Sequence, residues 1–216
     1  MSDEKPTPKP EHFGFLQVPN YSMIAFSSAI EPLRMANRNA GMELYRWSIY
    51  TIDGLPEKAS NALEITPDDS IENANDITTL FVCGGADIGE AWSRQLQFVL
   101  RRIAKRSNVR LGALCTGSYL LARAGLLDGY KCTIHWENIA SLREEFPEVR
   151  VCDDLFLIDR DRITSAGGQS SMDMMLKMIS DRHGSKMVTQ ISEQFMCERI
   201  RSSDDRQRIP LHLALG

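Results

Sequence analysis

The sequence lacks the cysteine and histidine spacings that bind a metal or build a disulfide framework. Its five cysteines are an odd number with no CxxC pair, and its four histidines show no HxxxH spacing. Structural zinc sites and disulfide-rich domains depend on such patterns. We therefore predict no metal, no cofactor and no disulfide framework.

Long apolar runs and an excess of positive charge are also missing. No run approaches the ~18 apolar residues that span a bilayer. The first 12 residues are polar and proline-rich, unlike a signal peptide, and predict a disordered lead-in. With 25 Lys and Arg against 29 Asp and Glu, the net charge of −4 argues against a nucleic-acid-binding domain within these residues. These absences predict a cytoplasmic protein with no membrane partner.

What is present is an alternation of apolar strands and amphipathic helices from Phe13 to about Arg182. This order is typical of an α/β fold with a doubly wound, mostly parallel sheet flanked by helices. The predicted strands are 13–18, 47–52, 62–65, 78–83, 110–114, 131–134, 149–151, 155–158 and 162–164. The predicted helices are 22–39 with a kink or break at Pro32, 88–106, 116–127, one ending near 146, one containing 172–179, and 186–201.

The most informative local feature is a cysteine between a strand and a helix. The strand Arg110–Leu114 runs directly into Cys115, and small residues at Gly112 and Gly117 allow a tight turn. Such an elbow holds the residue at its tip in a strained conformation, and a helix N-terminus there stabilises a thiolate. The alternative is a buried cysteine that packs as a small apolar residue.

Two further segments contain candidate site residues. Gly84 and Gly85 follow a buried strand and would let the backbone approach a ligand, although an ordinary turn has the same sequence. His135 and Glu137 invite a Cys-His-Glu triad with Cys115. A structural, hydrogen-bonded histidine is the alternative interpretation.

Several separated segments resemble one family. LCTGSYLLARAGLLDGYKCTIHW resembles the elbow of the ThiJ/PfpI superfamily, which has a flavodoxin-like, class I glutamine amidotransferase-like fold. The segments FVCGGAD, RITSAGGQSSMDMML, FGFLQVPNYSMIAFSSAIEPLRMANR and ISEQFMCERIRSSDDRQRIPL are similar to the N-terminal effector domain of AraC-type transcriptional regulators. Within those regulators, the similarity is to the subgroup that responds to arginine, glycine betaine and carnitine.

The sequence departs from the enzymes of that superfamily at two positions. The enzymes commonly place a histidine after the cysteine, where this chain has Thr116. They also use a carboxylate from the first helix. Enzymes of the isocyanide-hydratase kind place this Asp four positions before a proline that matches Pro32, where this chain has Ser28. A hydroxyl is not a general base near neutral pH. Glu31, three helical steps from Ser28, is close enough to the same helix face to substitute.

The resemblance therefore implies a ligand-sensing domain rather than an enzyme. It implies a homodimer that binds a small amino-acid-like or quaternary-ammonium effector and controls a helix-turn-helix domain outside this chain. Residues 13–185 would form the effector domain, and residues 186–216 a linker helix and the start of a connection. The alternative is a Cys115-dependent hydratase, hydrolase or glyoxalase-like enzyme.

The implied ligand site combines backbone amides with an aromatic ring. The amides of Gly85 and Thr116 would receive a carboxylate, and Trp136 would face a cation. The expected ligand-binding residues are Ser28, Glu31, Gly84, Gly85, Cys115, Thr116, His135 and Trp136.

Overall fold

A seven-stranded sheet lies at the centre of the part of the chain that the computed structural model describes, residues 9–208. Its order is β3-β2-β1-β4-β5-β9-β8, and all neighbours are parallel except β8 and β9. β6 and β7 pair separately. The strands are β1 (Glu11–Gln17), β2 (Tyr45–Thr51), β3 (Asp69–Ser70), β4 (Thr79–Cys83), β5 (Arg110–Leu114), β6 (Lys131–Cys132), β7 (Arg150–Val151), β8 (Phe156–Asp159) and β9 (Arg162–Ser165). The predicted doubly wound, mostly parallel fold is confirmed.

Six α-helices cover the two faces of this sheet. They are α1 (Met23–Ala40), α2 (Arg94–Ala104), α3 (Gly117–Arg123), α4 (Ile139–Glu145), α5 (Ser170–His183) and α6 (Ser185–Gln194). One core cluster joins α2, α3 and α4 to one face, and a second joins α1, α5 and α6 to the other. Between residues 9 and 208, no helix is long and apolar enough to cross a bilayer.

The central strands are buried on both faces, which explains their continuous apolar sequences. Along β4, Leu80 and Val82 belong to the first cluster, whereas Phe81 points into the second. Phe81 stacks there on Phe13 and Phe15 of the neighbouring strand β1. A side chain buried on each face is characteristic of parallel sheets covered by helices.

The first helix has clear start and stop signals. The Ser22 side chain accepts a hydrogen bond from the Ala25 amide, and Gly41 ends the helix in a left-handed conformation. Of the predicted kink or break at Pro32, the break is not found, because α1 continues from Met23 to Ala40. Pro32 has no N–H, so the carbonyl of Ser28 lacks its usual helical donor.

Three other predicted elements differ from the structure. The predicted helix 88–106 is a short 3-10 turn, Ile88–Ala91, followed by α2, because the Ser93 side chain caps a new helix start at the Leu96 amide. Residues 62–65 are not a strand, and the edge strand is β3 instead. The predicted helix 116–127 is also shorter, since α3 ends at Arg123.

The two ends of the described region also differ from expectation. β1 begins at Glu11, inside the predicted lead-in, and residues 1–8 lie outside the described residues. The last helix ends at Gln194 rather than near Arg201. It packs on α1 and α5 through the buried Val188 and Ile191, so it is part of the folded layer. Residues 209–216 of the predicted connection are likewise outside the described residues.

The topology determines where a ligand site is expected. β1 and β4 are neighbours, but the chain leaves β1 toward β2 and leaves β4 toward β5. In open parallel sheets, ligands bind beyond the carboxyl ends of strands at such a switch point. The loops after β1, β4 and β5 therefore converge on the expected position.

Candidate functional site

Cys115 occupies a strained turn between β5 and α3. Its φ is +59°, in the left-handed region that non-glycine residues rarely adopt. The Cys115 amide donates to the Ser165 carbonyl at 3.0 Å. A Cβ atom at Gly117 would lie 2.2 Å from the Val82 carbonyl oxygen, so no side chain fits at the first residue of α3. The predicted elbow geometry is confirmed.

The elbow does not produce a reactive thiolate, contrary to the prediction. Burial raises the pKa of the Cys115 thiol to about 11, and the nearby charge of Glu137 acts in the same direction. A hydrogen bond from the Thr116 backbone N–H lowers the pKa, but by less than burial raises it. Because α3 has only seven residues, its dipole is also short. The thiol is therefore protonated near neutral pH.

Cys115 opens into a cavity of about 820 Å³ beyond the carboxyl ends of β4 and β5. We call it the main cavity. Three acidic side chains, Asp87, Glu90 and Glu137, face it, and no lysine or arginine is among its described lining residues. The other lining residues are Ser22, Ser60, Gly85, Ala86, Ile88, Gly89, Cys115, Thr116, Tyr119, His135, Asn138 and Ser141.

Four of the eight predicted site residues line this cavity. They are Gly85, Cys115, Thr116 and His135. The other four, Ser28, Glu31, Gly84 and Trp136, are not among its lining residues.

Two of the absent residues concern the acid that the related enzymes place beside the cysteine: Ser28 occupies its position, and Glu31 was considered as a substitute. Ser28 is half-buried on α1, outside the cavity wall. The Glu31 carboxylate faces Arg34, with 2.6 Å between Glu31 Oε2 and Arg34 Nη2, and is partly exposed on the helix surface. The substitution of Glu31 for an acid at position 28 is therefore not seen. Gly84 lies behind the wall, where its amide donates to the Leu114 carbonyl at 3.1 Å.

Trp136 is turned away from the main cavity. The guanidinium of Arg208 lies 4.4 Å from the centre of its ring. The ring instead lines two smaller cavities of about 240 and 520 Å³. The face predicted to bind a ligand cation is thus covered by a cation of the chain itself.

His135 and Glu137 form a pair on the cavity wall. His135 Nδ1 lies 3.6 Å from Glu137 Oε2, and the Glu137 side chain is mostly exposed. Within residues 9–208, no hydrogen bond joins the Cys115 thiol to His135. The elements of a Cys-His-Glu triad therefore share one cavity without forming a connected hydrogen-bonded chain.

Backbone amides form the inner wall. The Thr116 hydroxyl donates to the Gly85 carbonyl at 2.7 Å and fixes the loop after β4. The neighbouring amides of Gly84 and Ala86 are used in backbone bonds, whereas no acceptor within the described residues pairs with the Gly85 amide. This Gly85 N–H is therefore available to an anionic group, whereas the Thr116 N–H beside it donates to the Cys115 thiol and would be shared with a ligand.

The acidic residues of the cavity wall were not among the predicted site residues. Asp87 and Glu90 lie two and five positions after Gly85, and Asn138 lies three positions after His135, so closeness to a predicted motif was the available signal. Tyr119 lies one helical turn beyond Cys115 on α3. No group of three His, Cys, Asp or Glu side chains suited to a metal is found in residues 9–208.

Comparison with known proteins adds a family and a set of regulators. The profile of the DJ-1/PfpI family matches residues 25–181. The HTH-type transcriptional regulator GbdR of Pseudomonas aeruginosa is 48% identical over 207 residues, covering 96% of this chain and 56% of that regulator. The HTH-type transcriptional regulator CdhR of the same species is 43% identical over 206 residues, covering 95% of this chain and 61% of the regulator.

A solved structure agrees with these similarities. The crystal structure of an AraC family transcriptional regulator from Pseudomonas putida superimposes with a TM-score of 0.79 at 29% identity. The match covers 86% of this chain and all of the other. The chain spans 56% of the length of GbdR and 61% of the length of CdhR.

Proposed function

Because the chain belongs to the DJ-1/PfpI family, we propose that it is the effector-binding part of an AraC-type transcriptional regulator. The observation that carries this proposal is the 48% identity to GbdR along 96% of the chain. DNA would be bound by a helix-turn-helix domain outside these residues. The net charge of −4 fits a part that does not itself bind DNA.

The main cavity supports a small zwitterionic effector. Its carboxylate would accept hydrogen bonds from the Gly85 and Thr116 amides, and its cationic end would face the acidic wall of Asp87, Glu90 and Glu137. In this proposal the cationic end of the effector contacts the carboxylates rather than Trp136, whose ring is covered by Arg208. Amino acids and quaternary ammonium acids such as arginine, glycine betaine and carnitine have this charge arrangement.

A thermal-shift titration with matched ligands tests the proposal. A ligand at a hundred times its Kd stabilises by about 2.7 kcal/mol, which raises the Tm of a domain of this size by about 5–10 °C. We expect such a shift with glycine betaine, carnitine or arginine. We expect a much smaller one with 3,3-dimethylbutyrate, which has the shape of glycine betaine without its positive charge. Equal shifts with both compounds, or none with any, would contradict the proposal.

The regulator would act as a cytoplasmic homodimer, because regulators of this kind read paired half-sites. Light scattering of the purified chain is then expected to give about twice its mass of 24.4 kDa. A mass of one chain at tens of micromolar would contradict the dimer. Specific retardation of a promoter fragment by this chain alone would contradict the assignment of DNA binding to another domain.

An enzyme is the second candidate, because Cys115, His135 and Glu137 share one cavity. The raised pKa of the thiol and the serine at position 28 weigh against it. Assays of isocyanide hydration and of methylglyoxal consumption, made with wild type and with Cys115→Ser, distinguish the two functions. A sensor has no turnover and keeps most ligand affinity in Cys115→Ser, with a loss of about 1 kcal/mol for an altered hydrogen bond. Turnover that disappears in Cys115→Ser would establish the enzyme instead.

A further inference from the structure

Residues 199–208 cross the carboxyl edge of the sheet beside the main cavity, and we call them the strap. The strap is anchored first at Asp173 of α5, whose side chain is only 3% exposed. Arg201 donates to this carboxylate from its backbone amide at 3.0 Å and from its guanidinium at 2.9 and 2.7 Å. The Leu155 amide then donates to the Ser203 carbonyl at 2.8 Å.

The second anchor of the strap is the side-chain amide of Gln207. Its Nε2 lies 3.0 Å from Thr133 Oγ1, 3.1 Å from the Ile134 carbonyl oxygen and 2.9 Å from the Asp154 carbonyl oxygen. The two hydrogens of Nε2 are shared among these three oxygens, which can only accept here, since the Thr133 hydroxyl donates its own hydrogen to the Asp154 carbonyl at 2.6 Å. The site therefore requires a donor at position 207.

The segment held by Gln207 is also a wall of the main cavity. His135 lines that cavity and also a smaller one shared with Arg201 and Gln207 of the strap. The next residue, Trp136, is covered by Arg208. Residues 133–136 thus have the strap on one side and the effector cavity on the other.

The same segment contacts the helix that follows the elbow. The Ser118 hydroxyl of α3 donates to the Thr133 carbonyl at 2.7 Å, with both residues buried. Ser118 lies one helical residue after Gly117 and three residues after Cys115. A continuous set of hydrogen bonds therefore runs from the elbow helix through Thr133 to Gln207.

We propose that strap docking and effector binding in the main cavity are coupled, so that the strap transmits occupancy of the cavity to the residues that follow it. The inference rests on the proposed effector function. A docked strap holds residues 133–136 and so preorganises the wall that contains His135. The ligand binds more tightly when the wall is held, and by linkage it stabilises the docked strap to the same degree.

Gln207→Glu tests the docking. It keeps the shape of the side chain but places carboxylate oxygens against three acceptor oxygens. We expect hydrogen exchange of residues 199–208 and of the Leu155 amide to accelerate at least tenfold. Asp204→Asn is the matched control, because Asp204 is exposed in the strap and its side chain makes no hydrogen bond or ion pair within residues 9–208. Arg201→Gln, which weakens the other anchor, is the second releasing variant.

The coupling is measured at the cavity, which Gln207 does not line. Without ligand, we expect Gln207→Glu to accelerate iodoacetamide alkylation of Cys115 at least about fivefold. With glycine betaine as the probe, we expect its Kd to rise by a similar factor, the lower end of typical coupling between sites. Saturating glycine betaine is expected to slow strap exchange in wild type. Asp204→Asn is expected to change none of these values.

Each result decides between the two proposals. A released strap with unchanged Cys115 alkylation and unchanged glycine betaine affinity would overturn the coupling and leave the effector function standing. Failure of both Gln207→Glu and Arg201→Gln to accelerate strap exchange would overturn the strap as a dockable element. If wild type binds none of glycine betaine, carnitine and arginine, the effector function is what fails, and the alkylation rates without ligand still support or refute the link between the strap and the cavity.

Discussion

Gly167 lies directly against Cys115, with no room between them for a side chain. A Cβ atom at Gly167 would be 2.7 Å from the Cys115 Cβ and 3.0 Å from its sulfur. Gly167 also has a φ of +94°, which side chains rarely adopt. The loop after β9 thus closes the elbow from the side opposite the main cavity wall formed by Gly85.

Gly167→Ala is therefore expected to lower the free energy of unfolding more than Gly168→Ala does. Gly168 also has a positive φ, +56°, but a Cβ there meets nothing within 4 Å. Gly168→Ala then carries backbone strain alone, about 1 kcal/mol, whereas Gly167→Ala adds overpacking of about 1–3 kcal/mol. Urea unfolding of both variants measures the difference. Equal losses would mean that the contact with Cys115 relaxes freely.

Thr116→Val is expected to weaken both the fold and ligand binding. The valine has nearly the same shape but cannot donate to the buried Gly85 carbonyl, and an unsatisfied buried acceptor costs about 1–3 kcal/mol. Thr116→Ser retains the hydroxyl and is the control. The free energy of unfolding and the glycine betaine Kd should both change in Thr116→Val and stay near wild type in Thr116→Ser. Equal behaviour of the two variants would contradict the role of this hydrogen bond.

The reactivity of Cys115 with iodoacetamide is expected to rise with pH without a plateau below about pH 10. Burial raises its pKa to about 11, so the thiolate fraction increases tenfold per pH unit through the neutral range. The folded-state pKa is above the ordinary thiol value, so Cys115 favours the folded state at neutral pH and loses that contribution as pH rises from about 9 to 11. Peptide-level mass spectrometry measures the alkylation. A plateau near pH 7 would show an activated thiolate.

Neutralising the acidic wall is expected to weaken binding of a cationic ligand stepwise. Asp87→Asn and Glu137→Gln each remove one charge from a solvated site, where a nearby pair contributes about 1 kcal/mol or less. Each change should raise the glycine betaine Kd severalfold, and the two together by about tenfold. Glu144→Gln removes an exposed charge of α4 outside the cavity and should leave the Kd unchanged. Unaltered affinity in the double variant would exclude a cation at this wall.

Features coded by neighbouring residues were the ones that the sequence predicted well. The strand Arg110–Leu114 and the turn at Cys115 follow from an apolar run that meets small residues, and both are found as expected. The break at Ser93 was missed because the apolar positions Trp92 and Leu96 continue the helical period across it. The serine cap is a local signal that periodicity alone does not reveal.

Features that depend on contacts between distant parts of the chain could not be predicted from the sequence. Trp136 is turned from the cavity by Arg208, far along the chain, and no local pattern connects the two. The pKa of Cys115 depends on how deeply the folded chain buries it, so the turn was predicted correctly and its chemistry was not. Asp87 and Glu90 resemble ordinary surface residues until the loop that contains them is seen to face the cavity.

The loop of residues 86–90 can change its sequence, and with it the charge of the main cavity, while the rest of the fold stays the same. It supplies two of the three acidic groups, most of its residues are exposed, and a Cβ at Gly89 would meet nothing within 4 Å. The opposite wall, residues 133–136, has contacts with both the strap and α3 and tolerates fewer changes. Under the proposed effector function, substitutions in this one short surface loop would change ligand preference with little cost to the fold, so it is the place to randomise when the specificity of the cavity is to be altered.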